Sequence, residues 1–357
     1  MKKIRLQDIA KDLGLSVIAV SKALRGHLDI GEQTRKRVIE RARELNYRPN
    51  QLAKQLLSGR TRTIGMVVPS LEINYFARLA HGATLRLRRD GYHLMMCNSE
   101  GSVELEAELI ESLLAHRVDG IALCPTGLVA EQSEFQFLID SRVPFVLSGR
   151  GVPPFPTHFV GSDGMAIGER AVEHLAERGC RRIAHIQGPS IAGSVQRRQG
   201  YERAMRKLGK RPHAIVGDRD GVDAGFQYMS LLLDSRTPPD GVFCYTDLVA
   251  AGAMKAVLDR GLGVPQDVAL VGVGNLLLSD LLQVGLSTFD QNPVAIGEQT
   301  AEMLLDLVEG KAKGPATRCF VPFHLVERES TLRQSGGGAM QSKKKAAVVR
   351  MPSAARS

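Results

Sequence analysis

Two short amphipathic segments separated by a glycine near the N-terminus constrain this chain more than any other feature. In the stretch IRLQDIAKDLGLS, Leu6, Ile9 and Leu13 recur at helical spacing, so one face of a first helix is apolar. Gly14 supplies a tight turn, and Ser16 is a good N-cap for a second helix. The pattern predicts a helix-turn-helix.

The second helix and a third helix complete a small core. We expect this core to contain Val20, Leu24, Val38, Ile39, Ala42 and Leu45. The residues left facing outward on the second helix are Val17, Ile18, Ser21, Lys22 and Arg25. In a helix-turn-helix, such an outward row enters the major groove of DNA and reads base edges.

Positive charge is concentrated at the two ends of the chain. Residues 1–60 carry 14 Lys and Arg against 6 Asp and Glu, and residues 335–357 carry 5 Lys and Arg and no acidic residue. Residues 61–334 carry 28 basic against 32 acidic residues, a net charge of −4. A cationic cluster beside a helix-turn-helix indicates contact with DNA phosphates, although a merely solvated helical face is the alternative.

Several stretches resemble the lactose/galactose repressor family of transcriptional regulators. They are IRLQDIAKDLGLS, AVSKALRG, TRKRVIERARELNYRPNQLAKQLLSG and RTRTIGMVVP, with RRIAHIQGP and RRQGY further along. The resemblance covers about residues 4–334. It implies a homodimeric regulator that binds operator DNA and a small-molecule effector, with a two-lobed domain similar to periplasmic sugar-binding proteins.

The resemblance and the residue patterns together predict four segments. Residues 1–49 form a helix-turn-helix head, 50–60 a hinge helix, 61–334 a two-lobed effector-binding and dimerisation domain, and 335–357 a disordered basic tail. The expected fold class is α/β: an all-α head followed by a two-lobed, doubly wound domain of the periplasmic-binding-protein type.

Within head and hinge, hydroxyl and amide groups suit phosphate oxygens, whereas apolar groups suit thymine methyls. Val17 and Ile18 hold the positions that specify the operator in similar proteins, and being apolar they lack bidentate hydrogen bonds to bases. Lys22 still reaches guanine acceptors, but without the planar fork of arginine. The residues expected to contact DNA are Ser16, Val17, Ile18, Ser21, Lys22, Arg25, Tyr47, Asn50, Ala53 and Leu56.

The hinge is too short to be helical by itself in water. Asn50 is an N-cap for residues 51–57, and Gly59 is able to end the helix. We expect it to fold on DNA opposite a partner hinge, with Leu56 as an apolar wedge in the minor groove and Leu52 or Leu57 as further candidates. A plain linker is the alternative.

The body alternates strands and helices, which predicts parallel sheets wound on both faces. The predicted strands are Ile64–Pro69, His93–Cys97, Gly120–Cys124, Phe145–Ser148, Phe159–Gly161, Arg182–Gln187, Gly241–Tyr245, Val268–Val273 and Leu286–Phe289. By resemblance the chain crosses between two lobes near residues 161, 291 and 320. Ligand is expected in the crevice at the carboxyl ends of the strands.

The resemblance implies an effector site formed by Tyr75, Phe76, Ser148, Arg150, Arg197, Thr246, Asp247, Asn275 and Gln291. Arg197 either holds a carboxylate, phosphate or sugar hydroxyl or bridges the lobes by a salt bridge. Asp247 either contacts ligand or caps the helix that follows it. Gly274 stands where sugar-responsive relatives commonly have a carboxylate, and the chain has no Trp, so a sugar or sugar derivative is the first of several effector classes.

Other function classes find little support in the sequence. It has no complete dinucleotide fingerprint, P-loop, paired metal-ligand spacing or nucleophile–base set, so we expect no enzyme activity, no cofactor and no metal. The absence of a signal peptide and of long apolar runs predicts a cytoplasmic protein with no membrane partner. The competing hypothesis is a DNA-bending regulator whose lobes only dimerise.

Overall fold

The computed structural model describes residues 4–24, 26–47, 59–127, 135–149, 154–312 and 314–333. The chain divides into two compact units, Met1–Thr61 and Arg62–Ser357. The predictions for Arg25, Asn50, Ala53, Leu56 and Arg150, and those for the tail, lie outside the described residues.

The first unit contains three helices, α1 (Leu6–Leu13), α2 (Val17–Leu24) and α3 (Glu32–Glu44). Gly14 ends α1 at a φ of 65°, a left-handed conformation that glycine adopts without strain. The predicted N-cap is confirmed, because the Ser16 hydroxyl accepts a hydrogen bond from the backbone N–H of Ala19 at 3.1 Å. These contacts set the angle of α2.

The core of this unit is made of smaller residues than the sequence predicts. The buried residues are Ile9, Ala10, Val20, Ala23, Val38 and Ala42. Leu24 and Leu45 pack against this core but stay partly exposed, and Ile39 lies outside it. Three alanines at the centre let the helices approach closely, which leaves the larger side chains at the rim.

The second unit is built on two six-stranded sheets. The N-lobe sheet has the order β11-β5-β4-β3-β1-β2, and all of its strands are parallel. Its strands are β1 (Thr63–Val68), β2 (His93–Asn98), β3 (Gly120–Leu123), β4 (Phe145–Ser148), β5 (Phe159–Gly161) and β11 (Arg318–Phe320). Its helices are α4 (Asn74–Arg89), α5 (Val103–Ala115), α6 (Gln136–Ser141) and α12 (Pro293–Val308).

The C-lobe sheet has the order β12-β10-β9-β8-β6-β7, and β12 alone runs antiparallel, beside β10. Its strands are β6 (Ile183–Ile186), β7 (Ala214–Ile215), β8 (Gly241–Cys244), β9 (Ala269–Val273), β10 (Ser287–Asp290) and β12 (His324–Val326). Its helices are α7 (Gly164–Glu177), α8 (Ala192–Lys207), α9 (Val222–Leu233), α10 (Asp247–Asp259) and α11 (Leu278–Leu281), and a 3₁₀ turn spans Glu329–Thr331.

The predicted α/β class with doubly wound parallel sheets is confirmed. Strands β7, β11 and β12 were not predicted from the sequence. Each has only two or three residues, which is too short to show a periodic pattern. Among the helices that the structure describes, none has both the length and the apolar character needed to cross a bilayer.

Neighbouring helices of the second unit touch through their backbones at glycines. On α7 and α8, a Cβ added at Gly168 would overlap the carbonyl oxygen of Arg197, and one added at Gly200 would overlap that of Met165. The same reciprocal arrangement joins α4 to α12 and α9 to α10, through Gly82, Gly297, Gly225 and Gly252. No other residue type allows backbones to pack this closely.

We therefore expect Gly200→Ala to destabilise the second unit by about 3 kcal/mol, since overpacking against a rigid backbone leaves no flexible side chain to move. Gly127→Ala is the matched control, because its added Cβ meets only Val103 at an ordinary 3.5 Å. Urea unfolding of both variants checks this. Equal midpoints for the two variants would show that the helix pairs can separate without cost.

The core of the C-lobe contains a fully buried histidine. His185 on β6 stacks on Phe243 at 4.6 Å and on Tyr201 at 5.2 Å between ring centroids. Its Nδ1–H donates to the carbonyl oxygen of Phe243 at 2.8 Å. Burial lowers the pKa of His185 from 6.5 to about 3, so the ring is neutral in the folded protein at neutral pH.

This buried ring predicts a loss of stability in mild acid. Between about pH 6.5 and about pH 3 the unfolded state binds a proton at His185 that the folded state does not bind, so stability falls as pH falls. The contribution approaches about 1.4 kcal/mol per pH unit for one proton. Urea titrations from pH 6.5 to 4 should show a shallower dependence in His185→Phe, whereas the exposed-site control His81→Gln should follow the parent protein.

Candidate functional sites

A cavity of about 90 Å³, partly open to solvent, lies between the two lobes of the second unit. Residues of both lobes and of the connecting segments line it. They are Ile73, Tyr75, Phe76, Gly149, Ser162, Gly164, Ile191, Gly193, Ser194, Arg197, Asp220, Tyr245, Thr246, Leu248, Val273, Gly274, Leu276 and Gln291.

The N-lobe wall of the cavity is aromatic. Tyr75 and Phe76 occupy the first turn of α4, with ring centroids 5.2 Å apart and planes at 87°. The Tyr75 hydroxyl donates to the carbonyl oxygen of Gly149 at 3.4 Å, which holds the ring against the end of β4. Both side chains are buried. This wall therefore presents two nearly perpendicular aromatic rings to the cavity.

Arg197 provides the cationic group of the opposite wall. Its Nη1 donates to the carbonyl oxygen of Tyr245, after β8, and its Nη2 donates to Oε1 of Gln291 at 3.0 Å, after β10. Both acceptors are neutral oxygens. The guanidinium therefore links α8 to a segment that connects the lobes.

Thr246 lies at the N-terminus of α10 and also lines the cavity. Its hydroxyl oxygen accepts a hydrogen bond from the backbone N–H of Val249 at 3.4 Å, so Thr246 is the N-cap of this helix. The hypothesis that Asp247 caps the helix is wrong, because Asp247 is the first helical residue. The cap brings a polar side chain to the cavity surface.

Asp247 instead stabilises the turn after β9. Its carboxylate accepts hydrogen bonds from the backbone N–H of Leu276 at 2.9 Å and from the hydroxyls of Ser279 at 2.7 Å and Thr288 at 2.5 Å. It is fully buried, and burial raises its pKa despite these three donors. The structure places it behind the cavity wall, not on its surface.

Ser148 and Asn275 also lie behind the wall. The Ser148 hydroxyl shares a hydrogen bond of 2.8 Å with Thr300 on α12. The Asn275 Nδ2 donates to Asp290 at 2.9 Å, and its Oδ1 accepts from Arg328 at 3.0 Å. Five of the residues predicted for the effector site thus share one cavity: Tyr75, Phe76, Arg197, Thr246 and Gln291.

Several residues that line the cavity were not predicted from the sequence. Asp220 follows the very short strand β7, and Ser194 belongs to the first turn of α8, where no motif marks either residue. Tyr245 could have been predicted, because it directly precedes Thr246, a predicted site residue, at the carboxyl end of β8. Strand ends that lie far apart in sequence meet only in the folded sheet.

The α2 surface presents the residues predicted to read DNA. Ile18 is 70% exposed and Val17 is 40% exposed. Ser16 is exposed, and Ser21 and Lys22 are half-buried. These side chains form a mixed apolar and polar face on one helix.

Two other groups of this unit have internal contacts. The Lys22 ammonium forms an ion pair with Asp29, and this hydrogen bond lowers the pKa of the Asp29 carboxyl. The Tyr47 ring packs against the unit's core, and burial raises the pKa of its hydroxyl. A DNA contact by Lys22 would therefore compete with its pairing to Asp29.

Comparison with known proteins agrees with both units. Residues 5–50 match the model for bacterial regulatory proteins of the lacI family, and residues 172–331 match that for a periplasmic binding protein-like domain. The HTH-type transcriptional regulator GntR of Pseudomonas aeruginosa is 32% identical over 334 residues, covering 91% of this chain and 95% of the relative. This chain belongs to the lacI family.

Two solved structures extend the likeness to the fold. The Lac repressor dimer bound to operator and the anti-inducer ONPF matches this lacI-family chain with a TM-score of 0.85 and 25% identity, covering 93% of this chain and all of that one. The CelR–cellobiose complex matches with a TM-score of 0.69 and 28% identity, covering 92% and 99%. The protein is a DNA-binding transcriptional regulator with an effector-binding domain, and not an enzyme.

Proposed function

We propose that this regulator binds a palindromic operator as a homodimer and responds to a small molecule, a sugar or sugar derivative, held in the cavity between its lobes. The observation that carries the proposal is the cavity itself, where α4, α8, α10 and the segment after β10 each contribute a residue. A concave site lined by aromatic side chains and a few directed polar groups is typical of small-molecule binding.

The cavity supports a compact ligand. Tyr75 and Phe76 offer aromatic surfaces, while Arg197, Thr246 and Gln291 offer directed polar groups. This combination suits a sugar ring, whose faces are apolar and whose hydroxyls lie at the edge.

An exposed apolar surface on the C-lobe supports dimer formation. Leu277, just before α11, and Leu281, at its end, are 72% and 74% exposed. Because the backbone of Leu277 is also in the helical region, the two side chains, four residues apart, share one face. Large exposed leucines of this kind are typical of contacts between subunits. The structurally similar Lac repressor is itself a dimer.

A chain of polar contacts connects this surface to the N-lobe. Arg328 donates to Asp280 on α11 at 3.1 Å and to Asn275 at 3.0 Å, and Asn275 donates to Asp290 at 2.9 Å. Asp290 in turn lies 3.6 Å from the guanidinium of Arg78 on α4. Gln291, the next residue, accepts from Arg197 at 3.0 Å.

These contacts support a coupling mechanism. A ligand at Arg197 and Tyr75 favours one lobe angle, and the lobe angle sets the separation of the paired hinges in the dimer. Coupling free energies of this kind are about 1–3 kcal/mol, a roughly 5- to 150-fold change in operator affinity. We expect the ligand to relieve repression.

The central test is a thermal-shift screen of the full-length protein against neutral monosaccharides, sugar acids, amino acids and nucleobases. A cavity ligand at 100 times its Kd stabilises the folded protein by about 2.7 kcal/mol, and this stabilisation is measured as a clear rise in Tm. Arg197→Ala should remove that rise while keeping operator binding, because its guanidinium lies in the cavity wall. The exposed-site variant Arg203→Ala, on the same helix, is the control.

Each outcome separates one hypothesis from another. If no class raises the Tm of the parent protein, the DNA-bending regulator with dimer-only lobes is favoured. A ligand that stabilises Arg197→Ala as well as the parent binds elsewhere. Stabilisation by a nucleobase alone keeps the cavity but excludes a sugar effector.

The dimer surface is tested by Leu281→Asp. A charge at this position should raise the dimer dissociation constant by about 100-fold, since burying one unpaired carboxylate costs several kcal/mol. Sedimentation velocity over a concentration series measures this change. Leu208→Asp, at the end of α8 and 45% exposed, serves as the control and should keep the parent's assembly state.

A further inference from the structure

An open groove in the N-lobe, the aromatic groove, is separate from the ligand cavity. It has a volume of about 350 Å³ and is formed by α6, the amino ends of β4 and β5, and the end of α12. The ligand cavity lies at the carboxyl ends of β4 and β5, where Gly149 and Ser162 line it. The groove and the cavity therefore lie at opposite ends of the same strands and share no residue.

Three phenylalanines form the apolar surface of the aromatic groove. The ring centroids of Phe135 and Phe145 are 6.4 Å apart with planes at 21°, and those of Phe135 and Phe155 are 6.1 Å apart with planes at 44°. Phe135 is buried, whereas Phe145 and Phe155 are half-buried and keep accessible surface. Neighbouring rings of this kind suit a further aromatic ring in stacked or edge-to-face contact.

Arg142 brings one cation to the aromatic groove. It directly follows α6, is exposed and lines the groove. Its guanidinium forms no ion pair or hydrogen bond with another residue that the structure describes. Asp140, on the same helix, accepts from Nε2 of Gln136 at 2.9 Å and does not line the groove. Among the described residues that line the groove, none is acidic.

Two further polar residues line the aromatic groove. Thr157 is only 7% exposed, and its hydroxyl has no hydrogen-bond partner within the described part of the chain. A buried hydroxyl without a partner costs free energy, which an acceptor on a ligand would offset. His158 Nδ1 accepts from the backbone N–H of Thr317 at 3.2 Å, so the proton of the neutral ring is on Nε2. Burial lowers the pKa of His158, which keeps the ring neutral at neutral pH.

We propose that the aromatic groove binds a small aromatic carboxylate, with its ring against the phenylalanines and its carboxylate at Arg142 and Thr157. A guanidinium matches a carboxylate, because two of its N–H groups donate in parallel to the two oxygens. One cation balances one carboxylate, whereas a phosphate ester carries about two negative charges. The volume of about 350 Å³ is that of a pocket for one small organic molecule.

Titration of the full-length protein with benzoate, followed by ligand-observed NMR, tests this proposal, and benzamide is the neutral comparison. Benzoate should bind about 10-fold more tightly than benzamide, because only benzoate gains a charge-assisted pair with Arg142. Arg142→Gln should weaken benzoate binding about 10-fold and leave benzamide binding unchanged. Thr157→Val should weaken benzoate binding about 5-fold without lowering the urea midpoint, because the hydroxyl has no protein partner to lose.

The matched control is Arg88→Gln, which removes the same charge from an exposed position of α4. It should bind benzoate like the parent protein. The proposal fails if the parent does not bind benzoate, or if Arg142→Gln and Arg88→Gln bind it equally well. Loss of benzoate binding in Arg197→Ala but not in Arg142→Gln would place benzoate in the ligand cavity and also overturn the proposal.

Discussion

The close contact between helix backbones at paired glycines is the constraint on which the ligand cavity depends. Gly168 touches the carbonyl oxygen of Arg197 itself, so the position of this arginine is set by packing before any ligand arrives. The pairs at Gly82 and Gly252 do the same for α4, which carries Tyr75, and for α10, which follows Thr246. Because such contacts do not stretch, each of these helix pairs is held in a fixed arrangement within its lobe.

The turn after β9 contributes apolar residues to the cavity surface. Val273, Gly274 and Leu276 line the cavity, whereas Asp247 and Asn275 do not. Asp247 has three donors inside the C-lobe, and Asn275 joins Asp290 to Arg328. These two polar residues stabilise the wall, so the polar groups at the cavity surface come from other segments, among them Arg197, Thr246 and Gln291.

The two ends of the C-lobe sheet have opposite chemical characters, and the direction of the strands explains the difference. Five strands are parallel, so all their carboxyl ends meet at one edge and all their amino ends at the other. The carboxyl edge contributes to the partly aromatic cavity between the lobes. The cations Arg181, Lys210 and Arg211 lie at the amino edge. The direction of the strands therefore separates these cations from the cavity.

The local sequence pattern was sufficient to predict many features of this structure. The helix-turn-helix, the capping of α2 by Ser16, the exposure of Ile18 and the alternation of strands and helices all follow from residues close together in sequence, where spacing and capping chemistry dominate. Tyr75, Phe76, Arg197, Thr246 and Gln291 were predicted by resemblance, and they share one cavity.

Only the tertiary structure decided which polar groups face the ligand cavity and which stabilise its wall. Asp247 was equally suited by sequence to cap a helix or contact a ligand, and its three donors come from residues 29 to 41 positions away. The glycine contacts likewise join segments that no local pattern relates. Sequence determines the elements through short-range interactions, whereas the orientation of a side chain at a strand end depends on the long-range contacts that its neighbours provide.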